Sequence, residues 1–335
     1  MPRRSKSAHH PQDDDQLGEA SDPASPIYIK ERTADYSVVR SIVNPGGMNG
    51  GINIVREETT GVEFIQKILK PRDVKFGDAW EEIAVQHQLK HPYVAQLRSA
   101  HTNSKAGKAS AIVEFCPHGS LQDLIDKHRK ARVPLGEKFI WKTFIQIAEV
   151  LRYMHCGPRQ DDPQFEYTVA RGQEWNPVWH LDLKPDNVML ADAPSKRGRR
   201  CIEIKLIDFG LSVSQEHIAL NKFRSTHIGY TKSFLYPEYP IPGAAADVWQ
   251  LGAIIICLCR LAACNWDECL AEESAVGEQY SDDLDIAVRA CLRSKPDARV
   301  KSSNLAFNLE KQYRSLRLPP DSTPLLLKTG TIPPE

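Results

Sequence analysis

The sequence has no excess of either charge, because its 43 lysine and arginine residues are matched by 43 aspartate and glutamate residues. A strongly basic chain attracts nucleic acid or anionic membranes along its whole surface, and a neutral chain does not. The missing net charge therefore predicts a protein without nucleic-acid or membrane partners, unless a local patch provides them. At 335 residues the chain is long enough for about two domains of ordinary size.

Paired cysteine motifs are also missing. The eight cysteines are scattered through apolar segments, and none lies in a Cys-x2-Cys framework with histidines. This pattern favours a reduced intracellular protein, cytoplasmic or nuclear, over a disulfide-stabilised secreted one. The nearest approach to a cluster is Cys257, Cys259, Cys264 and Cys269, which we interpret as small buried hydrophobic residues rather than a metal site.

Long hydrophobic runs are absent as well. The longest, from Leu251 to Ala263, is interrupted by Arg260 and predicts a buried helix rather than a membrane span. The first residues are basic, but no apolar segment follows them, so no signal peptide is expected. Residues 1–26, rich in Ser, Pro, Asp, Arg and His, and residues 318–335, with five prolines, are predicted to be disordered tails.

Apolar periodicity predicts the regular structure between the tails. Period-two alternation or short apolar runs predict strands at 52–55, 64–69 and 111–116. A helix is predicted over residues 78–90 with Asp78 as its cap, and another is predicted to start after Ser120. Helical spacing also predicts a final amphipathic helix over residues 302–316 and one buried helical face made by Ile140, Phe144, Ile147, Leu151 and Met154.

The strongest chemical signal is the octapeptide His180-Leu181-Asp182-Leu183-Lys184-Pro185-Asp186-Asn187, which Asp208-Phe209-Gly210 follows. The runs 188–190 and 202–207 between them predict a strand hairpin. The second strand would then bring Asp208 back to where Asp182 and Asn187 enter the first. Transfer of a phosphoryl group requires a positioner for the incoming hydroxyl, a cation for the phosphoryl oxygens and oxygen ligands for Mg²⁺. The carboxylate, cation and amide of these motifs are side chains of the required types.

These two motifs resemble the catalytic loop and the Asp-Phe-Gly motif of the eukaryotic protein kinase family. The resemblance covers about residues 28–316. It implies an α+β bilobal fold, with a small β-rich N-lobe at 27–115 and a larger, mainly helical C-lobe at 116–317. It also implies ATP-dependent phosphoryl transfer to protein substrates by a monomer. Lys184-Pro185 resembles the serine/threonine branch, so Ser and Thr hydroxyls are the expected acceptors.

The resemblance also implies a role for each matching residue. Asp182 would orient the acceptor hydroxyl and Lys184 would neutralise the phosphoryl oxygens, while Asn187 and Asp208 would hold Mg²⁺. Pro45 stands where the family places the first glycine of its phosphate-binding loop, which removes one backbone donor. The residues expected around ATP are Gly47, Gly50, Ile52, Lys67, Glu82 as the partner of Lys67, and the hinge residues Glu114 and Cys116.

Long-range pairs are implied in the second lobe. By resemblance, Thr231 would pack beside Asp182 and Lys184, Asp247 would brace the catalytic loop, and Arg299 would pair with Glu238. Leu181 stands where many relatives place an arginine that binds a phosphate on the activation segment. We therefore expect activity to depend little on phosphorylation of Ser225 or Thr226.

An alternative from another class stays open, a pseudokinase that uses the fold as a nucleotide-binding scaffold or interaction module. Pro45, Leu181 and the long connection at 159–179 are the features that favour it. The complete set of chemical side chains favours catalysis. The basic stretch 195–200 is interpreted as a solvated loop, with a nuclear signal or anionic docking patch as the alternative.

Overall fold

The computed structural model describes residues 35–42, 50–103, 106–159, 174–193, 201–220, 231–262 and 266–333. The first part of this chain forms five strands: β1 (Tyr36–Ile42), β2 (Gly51–Glu57), β3 (Glu63–Leu69), β4 (Leu97–Asn103) and β5 (Lys108–Glu114). They make one antiparallel sheet in the order β1-β2-β3-β5-β4. The middle strand β3 pairs Lys67 with Ile52 on one side and Ala111 on the other. The three predicted strands in this region are confirmed.

Two helices follow β3, namely α1 (Pro71–Phe76) and α2 (Asp78–Gln88). The predicted helix at 78–90 is confirmed by α2, but the predicted capping role of Asp78 is wrong. Gly77 is the N-cap, with a left-handed φ of 91°, and no side chain caps the helix. Asp78 lies inside the first turn, where its negative charge still interacts favourably with the helix dipole. Helix α1, which begins at Pro71, was not predicted.

The larger part of the chain is mainly helical, so the predicted α+β bilobal fold is confirmed. Its described helices are α3 (Leu121–Ala131), α4 (Glu137–Cys156), α5 (Gln215–Ala219), α6 (Ala244–Arg260), α7 (Trp266–Ala271), α8 (Asp282–Cys291) and α9 (Ser302–Ser315). Helix α4 packs against α6 and α9, and all five residues of its predicted apolar face are fully buried. Ser120 caps α3, as predicted, and the cap is a capping box with Asp123.

Short strands place the chemical motifs between the sheet and the helices. The predicted hairpin is confirmed by β7 (Val188–Ala193) and β8 (Cys201–Leu206), and β6 (Val178–Trp179) pairs with β9 (Val213–Ser214). Strand β6 leads into residues 180–187, and β8 leads into Asp208. Both motifs therefore emerge at the same edge of the small sheets. Of the helices in the described part of the chain, none has the length and hydropathy that crossing a membrane requires.

The carboxyl-terminal segment contradicts the prediction of a disordered tail at 318–335. Its described residues, which extend to 333, contain the hairpin β10 (Leu325–Leu327) and β11 (Gly330–Ile332). The Lys127 amine donates to the carbonyl of Leu327 at 2.6 Å, and the N–H of Leu326 donates to His128 at 3.0 Å. Leu327 is buried in the main core. Five prolines suggested disorder, but contacts with distant helix α3 order this segment.

Asp321 in the same segment caps α4 from outside the helix. Its carboxylate accepts hydrogen bonds from the N–H groups of Lys138 at 3.2 Å and Phe139 at 3.3 Å. The helix has Gly136 at its N-cap and no side-chain cap of its own. A Cβ atom at Gly136 would lie 2.2 Å from the Asp321 carboxyl carbon. The glycine therefore leaves the space that the distant cap occupies.

We expect Asp321→Ala to lower the free energy of unfolding by about 1–2 kcal/mol, the usual cost of a lost helix cap. Urea unfolding followed by circular dichroism measures this change. Lys328→Ala is the matched control, because Lys328 is 62% exposed and lies 3.6 Å from the Asp123 carboxylate, an exposed contact of little energetic value. Equal stability of both variants would contradict the capping role of Asp321.

Candidate active site

The backbone of the loop 180–187 is held by one buried carboxylate. Asp247, in the first turn of α6, accepts hydrogen bonds from the N–H groups of His180 and Leu181, both at 2.8 Å. His155 on α4 lies 2.9 Å from the same carboxylate. Leu181 has a φ of 63°, a left-handed conformation that is rare for a branched side chain. The predicted contact between Asp247 and this loop is present and fixes an uncommon backbone shape.

The carboxylate of Asp182 is bound on both oxygens. Lys184 Nζ lies 2.7 Å from Oδ2, and the Thr231 hydroxyl donates to Oδ1 at 2.9 Å. Lys184 also donates to the Thr231 hydroxyl at 2.9 Å. The Asn187 amide donates to the Asp182 carbonyl at 2.8 Å and to Oδ2 at 3.1 Å. Asp182 is therefore buried but ionically paired, and its side chain has one defined direction.

The amine of Lys67 joins the two lobes. It lies 2.5 Å from Glu82 Oε1 on α2 and 2.8 Å from Asp208 Oδ1 after β8. Burial alone would lower the pKa of Lys67, but the charges and hydrogen bonds of the two carboxylates outweigh it and raise the pKa. Burial would raise the pKa of Asp208, but the Lys67 charge and hydrogen bond outweigh it and lower that pKa. Burial also raises the pKa of Glu82, and the Lys67 charge and hydrogen bond only partly oppose it. One amine is therefore shared by two carboxyl groups.

Asn187 and Asp208 offer suitable ligands for Mg²⁺, which prefers oxygen. The Asn187 NH₂ group is used in its bonds to Asp182, which leaves its amide oxygen as an acceptor. Asp208 binds Lys67 through Oδ1, and its Oδ2 has no hydrogen-bond partner among the described residues. The donor chemistry of these two residues fits the ion. No group of three or more His, Cys, Asp and Glu side chains suited to a metal occurs in the described part of the chain.

Of the residues predicted to surround the nucleotide, four more lie in the sheet or just beyond its strands: Gly50, Ile52, Glu114 and Cys116. Gly50 donates its N–H to Ile68 at 2.7 Å, and a Cβ on Gly50 would lie 3.2 Å from the same carbonyl oxygen. Ile52 pairs with Lys67 on the neighbouring strand. At the predicted hinge, Glu114 ends β5 and its N–H already donates to the Gln96 carbonyl at 2.9 Å. Cys116 is buried, and burial raises the pKa of its thiol to about 12.

The predicted pair between Glu238 and Arg299 is present and bidentate. The guanidinium nitrogens lie 2.5 and 2.7 Å from the two Glu238 oxygens. Arg299 also donates to the carbonyl groups of Arg293, Ser294 and Ala245. The Arg299 side chain is only 1% exposed. This contact connects the segment after Thr231 to the chain that precedes α9.

Sequence reasoning missed two polar side chains near the site. Lys205 on β8 contacts both Glu114 and Glu203 at 3.1 Å. Gln250 on α6 hydrogen-bonds Leu183, next to Asp182. A signal for Gln250 was available, because this polar residue directly precedes the apolar run 251–263, which was predicted to be a buried helix. Lys205 gave no such signal, since a lysine is ordinary in an alternating strand pattern, where one face is commonly exposed. In the structure it is buried.

Several sequence predictions lie outside the described residues. They concern residues 1–26, Pro45 and Gly47 of the glycine loop, Cys264, the basic stretch 195–200, and Ser225 and Thr226. Of the long connection at 159–179, residues 160–173 are outside as well. Its described end contains Trp175, which donates to the Met154 carbonyl at 3.0 Å and packs on the ring of Tyr153. Trp175 therefore attaches this connection to α4.

Comparisons with known proteins agree with this geometry. A family model described as "Protein kinase domain" matches residues 45–306. The chain is 26% identical over 254 residues to "G2-specific protein kinase fin1" of Schizosaccharomyces pombe, covering 69% of this chain and 33% of that protein. It is 28% identical over 289 residues to "G2-specific protein kinase nim-1" of Neurospora crassa, covering 77% of this chain and 31% of that protein. It is 27% identical over 336 residues to mouse "Serine/threonine-protein kinase Nek2", covering 89% of this chain and 68% of that protein. The chain thus spans about a third of the length of the first two.

Proposed function

The chain belongs to the protein kinase family, and we propose that it transfers the γ-phosphoryl group of ATP to Ser and Thr hydroxyls of protein substrates. The observation that carries the proposal is a pair of three-residue groups, each held together by direct contacts of 3.1 Å or less. Lys67, Glu82 and Asp208 form the first group, and Asp182, Lys184 and Asn187 form the second. Phosphoryl transfer requires this combination of positioning and charge.

In the proposed mechanism each side chain has one task. Asp182 accepts the hydrogen bond of the incoming hydroxyl and aims it at the phosphorus. Lys184, already beside Asp182, offsets the negative charge on the transferred group. Lys67, fixed by Glu82, binds the phosphates of ATP. Asn187 and Asp208 would hold Mg²⁺, which when bound neutralises phosphate charge as a Lewis acid.

Several finer statements belong to the same proposal. The acceptor class rests on Lys184-Pro185 and on relatives such as mouse Nek2 that are named serine/threonine kinases. The lobes are proposed to meet between residues 115 and 116, where β5 has ended and the turn before α3 begins. Gly47, Gly50, Ile52, Glu114 and Cys116 are proposed to surround the nucleotide. An intracellular monomer is proposed, and the seven described cysteines are all free thiols.

Incubation of the purified full chain with labelled ATP, Mg²⁺ and a generic basic protein tests the proposal. We expect phosphoserine and phosphothreonine in the product, and no transfer after Mg²⁺ is chelated. Nucleotide binding measured by calorimetry without any transfer would instead support the pseudokinase alternative. Neither binding nor transfer would overturn both functions.

Lys67→Met is expected to lower kcat/KM by about 10²-fold or more, because the variant leaves two carboxylates facing each other without their shared cation. The loss appears in steady-state kinetics with ATP as the varied substrate. Lys70→Met is the control, since this lysine directly follows β3 and its side chain makes no hydrogen bond or ion pair in the described part of the chain. Its backbone carbonyl accepts from Val74, and the substitution leaves that bond in place. Wild-type kinetics in Lys67→Met would contradict the assigned role.

Ser225→Ala/Thr226→Ala is expected to change kcat less than about threefold, because Leu181 offers no cation to a phosphate at those positions. Ser225 and Thr226 lie outside the described residues, so the expectation is based on Leu181. Kinase assays before and after phosphatase treatment provide the measurement. A large loss of activity with the fold intact would show that phosphorylation of this segment is required.

A further inference from the structure

Gln250 is an uncharged polar side chain in the apolar middle of α6. It follows Asp247 by three residues and lies between Trp249 and Leu251, both of which belong to the main core. Only 2% of Gln250 is exposed. Burial of an amide costs free energy unless its donors and acceptor are all bonded. Its contacts therefore have to explain its presence in this helix.

The Gln250 amide bonds its oxygen and both of its N–H donors to backbone groups. Its oxygen accepts from the N–H of Leu183 at 3.0 Å. Its nitrogen donates to the carbonyl of Leu181 at 3.0 Å and to the carbonyl of Phe234 at 3.1 Å. Leu181 and Leu183 are the neighbours of Asp182 in the chain. One side chain therefore binds the peptide unit on each side of the Asp182 Cα atom.

Asp247 and Gln250 bind different backbone groups of the same segment, residues 180–183. Asp247 binds the N–H groups of His180 and Leu181, whereas Gln250 binds the Leu181 carbonyl and the Leu183 N–H. The Leu181 backbone is thus fixed at both its polar groups. Since Leu181 has a left-handed φ of 63°, this unusual conformation needs support from both sides.

The third bond of Gln250 reaches the segment after Thr231. Phe234 closes a 3₁₀ turn, Lys232–Phe234, that begins directly after Thr231. Thr231 donates to the Asp182 carboxylate. The segment 231–234 is therefore attached to the Asp182 loop twice, through the Thr231 hydroxyl and through the Gln250 amide. Both attachments use uncharged side chains, those of Thr231 and Gln250, so neither requires a phosphate group. Leu181 is apolar and buried and therefore could not bind a phosphate.

We propose that Gln250 is a positioning residue for phosphoryl transfer, which aims Asp182 by binding both adjacent peptide units and couples it to the 231–234 segment without phosphorylation. The inference rests on the proposed function, because only a reacting Asp182 needs an exact direction. Loss of the amide removes one hydrogen bond from each peptide unit. The first then keeps only the long bond from the Asp182 N–H to His180 at 3.3 Å, and the second keeps only the bond from Asn187 to the Asp182 carbonyl. Misplacement by about 1 Å can reduce a rate by about 10²-fold.

Gln250→Met in the full chain tests the inference, because methionine has the same length and no amide. We expect kcat to fall about 10- to 100-fold, with little change in KM for ATP. Hydrogen–deuterium exchange in residues 178–190 is expected to accelerate. Gln250→Asn keeps the amide on a side chain that is one carbon shorter. It should also lower kcat and accelerate exchange, and it provides the test if Gln250→Met does not fold.

Gln312→Met is the matched control. Gln312 on α9 also donates from its amide, to the carbonyl and carboxylate of Asp283 at 3.1 and 3.0 Å, but it does not contact the loop 180–187. The inference is overturned if the Gln250 variants fold and match this control in kcat and in exchange. If the wild-type chain shows no transfer, the proposed function fails, and the exchange comparison alone then decides whether Gln250 fixes the loop.

Discussion

Asp182→Asn is expected to lower the rate of phosphoryl transfer by about 10²–10⁴-fold, the range that a positioned general base contributes. Asparagine has the same shape but cannot accept the acceptor's proton. It also replaces one of the two oxygens that bind Thr231, Lys184 and Asn187. Single-turnover kinetics with saturating ATP isolate the chemical step from nucleotide binding.

The fold should survive this change, which makes the result interpretable. The backbone of the loop is held by Asp247 and Gln250 rather than by the Asp182 side chain. Asp186→Asn is the matched control, because Asp186 is an exposed carboxylate four residues further along the same loop. We expect its kcat to remain near the wild-type value. A wild-type kcat in Asp182→Asn would contradict the role assigned to Asp182 in the mechanism.

Arg299→Met is expected to lower the free energy of unfolding by about 3–5 kcal/mol, the cost of removing one partner from a buried ion pair. The variant leaves the Glu238 carboxylate buried without its cation. It also leaves the carbonyl groups of Arg293, Ser294 and Ala245 without their donor. Urea denaturation followed by tryptophan fluorescence measures the change.

A double-variant comparison separates the ion pair from simple loss of volume. Arg299→Met/Glu238→Gln should be less unstable than the sum of the single changes, since the unpaired charge is gone. Arg314→Met is the surface control, because Arg314 is 74% exposed in its pair with Glu310, and we expect a loss under about 1 kcal/mol. Equal losses for Arg299→Met and Arg314→Met would show that the buried pair adds no stability.

Local patterns predicted most of the fold because their causes are local. Alternation in 52–55 and 64–69 and the spacing of the apolar residues of α4 reflect burial on one face, which the sequence displays directly. Resemblance to a known motif predicted the distant pairs, such as Lys67 with Glu82 and Glu238 with Arg299. Periodicity alone could not have found them, because each joins residues from separate elements.

The failures have the opposite cause. The hairpin at 325–332 was predicted to be part of a disordered tail, because composition indicates only how much apolar surface a segment can bury by itself. In the structure the hairpin is held by Lys127 and His128, which belong to a helix that is distant in sequence. The cap of α4 was missed for the same reason, since it comes from Asp321. At Asp78 the preference for a polar cap competed with the left-handed conformation of Gly77, and the glycine backbone determined where α2 begins.

The cap on α4 also affects how the chain matures during synthesis. Helix α4 is made 183 residues before Asp321, which supplies the cap for Lys138. On the ribosome, where domains fold as units from the amino terminus, the first lobe and α4 emerge while their final partner has not been translated. The native amino terminus of α4 therefore cannot form until Asp321 has been translated, so folding of the second lobe is not complete before that residue leaves the ribosome.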